Sequence, residues 1–487
     1  MLLQKLLPTN INSDMAYLFM GLVGTILVGI ILGIATDAYF LFGLPVLYLG
    51  AYLAIVDFRK IFYLLLATIP LSTEVNLPGG FGTDFPSELL VIVLMGIYSL
   101  YLIRNGTRLD SHFFKHPITL LLLLHLAWIG ISSLHAGEKI ISLKFLLAKI
   151  WYVTTYYFLA GLLLKTEKDL KNFFKWVFIP LLFTVIIVMI RHALDGFSFE
   201  GINLVLNPFY RNHVNYAAIL VVFFPFLWYA PNWAKKYSWK WWALIGSILF
   251  FLAAIYLSYT RAAYVCLLLA PCVYIVIRLR LMKVVIGAVL IAGIIGVNFV
   301  STNNKYLDFA PDYNKTIAHK KFDNLIDATA KGEDVSTMER VYRWVAGFYM
   351  VAEKPLTGFG PGNFYSYYSQ YTVNSFRTYV SDNPEKSGIH SYYLMTAVEQ
   401  GIIGLVIFLA LCFTVLLKAE QLYHRTKKVA TRRMILMVTL SIVIIDALCL
   451  INDMVETDKV GAFFFMGMAV LVNLEREIEL QTVSTDS

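Results

Sequence analysis

The sequence predicts an all-α polytopic membrane protein with about 12–14 transmembrane helices and one large extracytoplasmic loop. Hydrophobic residues make up 59% of the 487 residues, and only 15% are charged. A soluble domain has roughly 45–50% apolar and about 25% charged residues. The mean hydropathy is +0.67. Apolar runs of membrane length recur along the chain. Together these observations exclude a soluble enzyme, a disordered chain and a fibrous repeat.

Fourteen apolar runs are candidate spans. The third run, from Ile61 to Leu71, is short, because a straight crossing needs about 20 residues. It is expected to be tilted, broken or re-entrant, but we keep it as a span because its removal would invert the charge pattern on one side of it. The runs are 15–35, 37–57, 61–71, 86–103, 117–133, 143–164, 173–191, 213–230, 241–258, 261–279, 282–300, 389–417, 434–451 and 459–474.

The distribution of Lys and Arg predicts the orientation. With a cytoplasmic N-terminus, more than half of the 40 basic residues fall in inside segments, and the short outside loops hold few. This agrees with the positive-inside rule. The domains predicted are a bundle of about eleven spans (1–300), an extracytoplasmic loop (301–388), three final spans (389–474) and a cytoplasmic tail (475–487).

The net charge of +8 would raise nucleic acid as a partner in a soluble protein. Here the basic residues follow membrane sidedness instead, so we expect membrane lipid and no nucleic acid as partners. The four cysteines all lie in apolar runs without metal-ligand or disulfide spacing. No metal or other cofactor is therefore expected.

Three arginines on the predicted outer side are not explained by sidedness. Arg191 ends the seventh span, Arg211 precedes the eighth, and Arg261 lies in a polar break between two abutting spans. Each could snorkel to lipid headgroups, which suits Arg191 best and Arg261 least. Arginines that converge on one leaflet would suit a diphosphate, because guanidinium offers a charged, bidentate fork to phosphate oxygens. They could then neutralise the diphosphate in place of a divalent metal.

The long loop should contain an amphipathic helix near 338–353. Ser336 to Glu339 has the pattern of a capping box, apolar residues then recur at helical spacing, and Pro355 ends the helix. Arg340 and Arg343 lie on a polar face. Arg343 could also form an i,i+4 ion pair with Glu339. The glycine-rich run that follows lacks the Lys of a phosphate loop, so a tight turn is the better interpretation.

His390 opens the twelfth span on the predicted outer side. The positive end of a helix dipole favours the neutral imidazole, which is the form that a general base needs. Activity should then fall on acidification through the pKa of this histidine. Alternatively, His390 is an interfacial residue that only caps the helix. His213 is a second candidate, and the buried acid Asp446 is either functional or an arginine partner.

At this point the sequence resembles the O-antigen ligase and polymerase superfamily of bacterial inner-membrane glycosyltransferases. The similar region covers about two fifths of the chain, from Asn207 to Leu405. Its most specific parts are a Pro-Leu-x-Gly-x-Gly-Pro-Gly-Asn-Phe run and a Glu-x-Gly-x-x-Gly-Leu run. The residues that carry the resemblance are Ser258 and Arg261, Arg340, Arg343 and Trp344, Pro355 to Phe364, His390 to Leu394, and Glu399 to Leu405.

The resemblance implies a GT-C-type helix bundle and metal-independent, inverting transfer of a glycan from undecaprenyl diphosphate, at the periplasmic face of the inner membrane. It implies that Arg211 and Arg261 hold the donor diphosphate, with Arg340 and Arg343 as further candidates, and that His390 serves the acceptor hydroxyl. A lipid A-core acceptor, which we prefer, would make the protein an O-antigen ligase. A glycan acceptor would make it a polymerase, and a protein acceptor an O-oligosaccharyltransferase. The alternative from another class is a polysaccharide flippase or exporter.

Overall fold

The structure, a computed structural model, describes residues 13–37, 41, 43–45, 48–50, 52, 57–77, 81–106, 110–301, 335–372 and 388–486. The chain divides into two compact units, 1–66 and 67–487. The first unit holds α1 (Ser13–Ala35) and most of α2 (Phe58–Thr68). The second unit holds a two-stranded hairpin and the remaining helices.

The helices of the second unit follow in chain order: α3 (Ser87–Asn105), α4 (Ser111–Lys115), α5 (Pro117–Leu134), α6 (Lys139–Leu163), α7 (Glu167–Leu194), α8 (Ile202–Val205), α9 (His213–Tyr229), α10 (Trp239–Tyr256), α11 (Arg261–Arg278), α12 (Met282–Ser301), α13 (Val335–Glu353), α14 (Phe364–Tyr368), α15 (Tyr392–Arg425), α16 (Val429–Leu448) and α17 (Asp458–Asp486). Short 3₁₀ turns follow α9 and α14, and residues Val153–Leu159 of α6 are π-helical.

Ten helices in the described part of the chain are long and apolar enough to cross a membrane. They are α1, α3, α5, α6, α7, α9, α10, α11, α12 and α15, and each coincides with a predicted span. The prediction of an all-α, multi-pass membrane protein is confirmed. The predicted third span is α2, whose 11 residues rise only about 16 Å. Most of the predicted second span, 37–57, lies outside the described residues.

The core of the second unit forms around α9. This helix is apolar on all sides and mostly buried, which is typical of a central helix. It begins where the Asn212 side chain accepts a hydrogen bond from the backbone N–H of Asn215 at 2.9 Å. The Phe226 ring lies 5.4 Å from the Phe173 ring of α7. Aromatic packing therefore joins the middle of the chain to the helices around it.

The two ends of the bundle are named here after the sides that the charge pattern predicts. At the inner end, the Glu475 carboxylate accepts hydrogen bonds from His116 at 2.6 Å and Lys418 at 2.8 Å. Arg476 pairs with Asp110 nearby. These residues come from segments that charge counting assigned to the same side. The segment predicted as a tail, 475–487, continues α17 as helix to Asp486.

A short hairpin of β1 (Thr73–Leu77) and β2 (Phe81–Phe85) lies at the outer end, and the sequence analysis did not predict it. The hydroxyls of Ser72 and Ser87, which flank the hairpin, both donate to the Asp458 carboxylate at 2.8 Å. Lys459 donates to the Ser72 carbonyl at 2.7 Å. The start of α17 therefore holds the base of the hairpin in place.

Helix α15 is not one straight span. Gly401 has φ 72° and ψ 179°, which breaks the helix. A straight helix would separate Tyr392 from Phe408 by about 24 Å, yet their ring centroids are 5.0 Å apart. The chain therefore rises through an ascending arm (392–400), turns at Gly401 and returns through a descending arm (402–425). The prediction of a single span over 389–417 is wrong, because a continuous apolar sequence concealed the turn.

Candidate active site

The two runs that carry most of the family resemblance meet at the Gly401 turn. The backbone N–H of Phe359 donates to the Val398 carbonyl at 2.9 Å, and that of Ile402 donates to the Pro355 carbonyl at 2.8 Å. A Cβ on Gly401 would lie 2.0 Å from the Leu356 carbonyl oxygen. The glycine-rich loop thus packs directly on the turn, and only glycine fits there.

A buried carboxylate locks this contact. Glu399 accepts a hydrogen bond from the backbone N–H of Phe364 at 3.1 Å and another from Gly362. The Ser132 hydroxyl of α5 donates to the Thr357 carbonyl at 2.7 Å. The loop therefore forms the tight turn that its sequence favoured, rather than a phosphate cradle. Its function is to fix the outer tip of the two arms.

His390 lies two residues before the start of the ascending arm, which rises about 13 Å from Tyr392 to the Gly401 turn. It is half-buried, and its φ of +57° is unusual for a residue other than glycine. The helix cap is Ser391, whose hydroxyl accepts from the backbone N–H of Leu394 at 3.5 Å. His390 is therefore not the cap of this helix. The left-handed backbone instead directs its side chain independently of the helix.

Asp453, in the loop between α16 and α17, binds this backbone through its carboxylate. Its Oδ2 accepts from the backbone N–H of His390 at 3.3 Å, and the carboxylate also accepts from Ser391. A Cβ on Gly388 would lie 2.1 Å from the same oxygen. Burial raises the pKa of Asp453 to about 6, against the opposing effect of these hydrogen bonds.

The two arginines of α13 flank His390. Arg343 is buried, and its Nη1 donates to the Gly388 carbonyl at 3.0 Å. Burial is the main cause that lowers the pKa of His390 to about 3, followed by the charges of Arg343 and Arg340. The imidazole is therefore neutral throughout the physiological range. The predicted fall of activity on acidification through the pKa of His390 stays a prediction, and the lowered pKa moves that fall to more acidic pH.

A second group of predicted site residues lies where α11 begins. Thr260, just before Arg261, donates through its hydroxyl to the His213 carbonyl at 3.2 Å. Arg211 is exposed and lies two residues before His213 in the same outer segment. The structure therefore brings the segments of Arg261 and Arg211 together. Arg191 donates to the Asn207 carbonyl, so it braces the loop that carries Arg211.

Two acids have partners that the sequence analysis did not foresee. Asp446 lies beside the Cys412 thiol in the described part of the chain. Glu456 forms an ion pair of 2.5 Å with Lys149, which sequence counting treated only as an outer basic residue. Within the described ranges, no three His, Cys, Asp or Glu side chains converge as metal ligands.

Residues 246–409 match the family model described as O-antigen ligase. This match, over about a third of the chain, supports a member of the O-antigen ligase superfamily. A search of curated proteins finds no match. The range that matches the O-antigen ligase model contains Arg261, Arg340, Arg343 and His390, together with the Gly401 turn and the loop packed on it. The match indicates a glycosyltransferase-like activity of the ligase or polymerase type, carried by a multi-pass membrane protein.

Proposed function

We propose that the protein transfers an oligo- or polysaccharide from undecaprenyl diphosphate to an acceptor hydroxyl, at the periplasmic face of the bacterial inner membrane. Both chain termini would then be cytoplasmic. The observation that carries the proposal is the surrounding of His390. A neutral, half-buried imidazole on a left-handed backbone lies beside Arg340 and Arg343. A hydrogen-bond acceptor next to fixed positive charge is what transfer from a diphosphate requires.

The arginines would hold the donor. Arg261 and Arg211 come from the second group, and Arg340 and Arg343 from the group at His390. Guanidinium stays charged at every working pH and binds phosphate oxygens through two parallel N–H groups. Four such groups would neutralise the diphosphate as it leaves, so we propose that transfer needs no metal. Their positions on three different elements would fix both phosphates relative to His390.

His390 would receive the acceptor. The acceptor hydroxyl donates its hydrogen bond to the imidazole, and its oxygen attacks the anomeric carbon as the bond from that carbon to the diphosphate oxygen breaks. The configuration inverts, the proton passes to His390, and the diphosphate leaves with the electron pair. Because the pKa of His390 is low, the imidazole orients the hydroxyl in the ground state and takes the proton only late in the reaction.

The acceptor decides the name of the activity. We favour lipid A-core, which makes the protein an O-antigen ligase. A growing glycan or a protein hydroxyl remains the alternative within the same chemistry. A flippase would bind the same lipid but would not need a positioned base. Deletion of the gene separates these functions by the glycan profile, because loss of capped lipopolysaccharide indicates a ligase and loss of the chain-length distribution a polymerase.

The direct test is transfer of a labelled lipid-linked glycan in proteoliposomes, with lipid A-core, glycan and peptide acceptors offered in parallel. Donor binding is measured separately. We expect transfer to one acceptor class and full activity in the presence of a chelator. Donor binding without transfer to any acceptor, combined with movement of the lipid-linked glycan across the bilayer, would contradict the proposal and favour the flippase.

A further inference from the structure

Lys149 is a buried lysine that the proposed mechanism does not use. It lies in α6, and its side chain is 4% exposed. The ammonium nitrogen is 5.6 Å from the Phe145 ring centroid and 5.5 Å from that of Phe465. A charged residue inside a span is unfavourable unless it has a partner, and where it faces the protein interior it commonly serves function. Its partners therefore indicate what it does.

Three hydrogen bonds form a closed triangle around this lysine. The ammonium donates to Glu456 Oε1 at 2.5 Å and to the Tyr392 hydroxyl at 3.3 Å. The Tyr392 hydroxyl donates to the same Glu456 oxygen at 2.5 Å. We call this set the lysine triangle. Each member forms hydrogen bonds with both of the others, so loss of any one bond leaves its two partners connected.

Two members of the lysine triangle belong to the segments that hold His390. Tyr392 begins the ascending arm two residues after His390, and its backbone N–H donates to the Cys449 carbonyl at 2.8 Å. Glu456 follows Asp453 by three residues in the loop that supports the His390 backbone. Lys149 is the only member from a different part of the chain. It therefore ties both supports of His390 to the frame of α6.

We propose that Lys149 is a positioning residue for transfer: it aligns the foot of the ascending arm and the Asp453 loop, so that His390 meets the acceptor hydroxyl. The proposal rests on the proposed role of His390. Lys149 itself touches no reacting atom. Its removal should slow the chemical step without weakening donor binding, since the arginines that bind the diphosphate lie on other elements.

The alternative is that the triangle only stabilises the fold. Buried ion pairs are often replaceable by apolar residues without loss of stability. The paired variant Lys149→Met with Glu456→Leu should therefore keep the melting temperature within a few degrees, while kcat falls about 10- to 100-fold. The KM for the lipid-linked donor should change less than about twofold. Lys139→Met, an exposed lysine at the start of the same helix, is the matched control and should leave kcat unchanged.

A double-mutant cycle gives the decisive measurement. Lys149→Met and His390→Asn are assayed singly and together, with labelled lipid-linked glycan in proteoliposomes of the full chain. If Lys149 acts through His390, Lys149→Met should change the His390→Asn rate less than about twofold. Should Lys149→Met not accumulate, Tyr392→Phe takes its place, because it removes only the triangle hydroxyl and keeps the ring.

The outcomes separate the two proposals. An equal loss from Lys149→Met in both backgrounds overturns positioning and leaves a general structural role, while the proposed function stands. A wild-type rate for His390→Asn overturns the proposed role of His390, and the positioning proposal with it. A large loss in the wild-type background that vanishes with His390→Asn supports both.

Discussion

Two helices begin beside candidate site residues, and each start contains a residue other than glycine in left-handed backbone. Before α11 it is Tyr259, with φ 53°, two residues ahead of Arg261. Before α15 it is His390 itself, with φ 57°. Such a residue costs about 1–3 kcal/mol, which the surroundings must supply. Both helix starts thus contain one left-handed residue. At α15 that residue is the candidate site residue itself, whereas at α11 it precedes the candidate Arg261 by two positions.

The supports of the two starts also differ. At α11, the Tyr259 hydroxyl donates to the Phe197 carbonyl at 2.6 Å, and Thr260 donates to the His213 carbonyl. Neighbouring loops therefore brace the turn. At α15, a carboxylate holds the strained backbone directly, and the lysine triangle fixes the segments on both sides. We infer that a guanidinium tolerates modest movement because it acts by charge and reach, whereas an imidazole must keep one orientation.

The largest effect should come from Gly401→Ala, which tests the turn inside α15. The backbone at φ 72° and ψ 179° is essentially restricted to glycine, and the added Cβ would overlap the Leu356 carbonyl. Folded protein in the membrane fraction should be nearly lost, as fluorescence-detected size exclusion would show. Gly287→Ala in α12 meets no atom within 4 Å and is the control. Normal yield of the Gly401 variant would disprove the turn.

His390→Asn tests the side chain without disturbing the strained backbone. Asparagine is among the residues that adopt left-handed φ readily, so the variant should fold and keep its melting temperature. The transfer rate should fall about 10²–10⁴-fold, the usual contribution of a positioned acid–base group. Donor binding should change little. If donor binding is lost instead, His390 belongs to the diphosphate site, and the assigned roles are wrong.

Arg261→Lys tests the candidate diphosphate contact at the start of α11. Charge is kept but the bidentate fork is lost, so transfer should fall about 10- to 100-fold, as expected for one charge-assisted hydrogen bond. The loss should appear mainly as weaker binding of the lipid-linked donor. Arg278→Lys, at the opposite end of the same helix, should be silent. Near-normal turnover of the Arg261 variant at equal protein level would reduce this arginine to a headgroup contact.

The smallest effect should be a pH dependence that arises from Asp453. Below its pKa of about 6 the carboxyl is protonated, and it accepts the His390 N–H more weakly. Transfer should fall about tenfold between pH 7 and pH 5. Glu456 and Arg343 act on the same carboxyl and oppose each other. Asp453→Asn should remove this acidic limb, and an unchanged limb in that variant would assign it to another group.

Stability should move in the opposite direction over the same interval. The folded pKa of Asp453 lies above the usual value of 3.8, so the folded state binds the proton more tightly than the unfolded state. This group therefore destabilises the protein as the pH rises through about 6. A melting temperature that is steady or higher at pH 5, measured with activity on the same samples, would show that the loss of transfer is not unfolding.

Much of the fold could be predicted from the sequence, because the hydropathy of a short stretch is enough to identify a membrane span. The long helices other than α15, the end of α13 before Pro355 and the polar break at Arg261 all follow from residues close together in the chain. The turn at Gly401 could not be predicted this way. Both arms are apolar, and a glycine inside an apolar run has no distinctive hydropathy. Glu399, an acid inside an apolar run, could have indicated the turn, because a buried acid needs partners.

The surroundings of His390 were hidden for a different reason. Lys149 and Glu456 are 307 residues apart, so neither residue reveals its partner locally. The low pKa of His390 likewise depends on α13, which reaches it from a distant segment. Local sequence patterns indicated the candidate groups that bear charge. The groups that hold these candidates in place depend on contacts between distant segments, which a local pattern does not show.

The attachment of α17 at both ends has a consequence for biosynthesis. Its outer end binds Ser72 and Ser87 through Asp458, and its inner end binds Asp110 through Arg476. Those partners emerge from the ribosome more than 350 residues before α17 does. The early helices must therefore wait in the bilayer with these polar groups unjoined until the final helix arrives. A substitution in α17 that breaks these bonds should therefore leave the polar groups of the early helices unpaired. Quality-control proteases would then act on those early segments first.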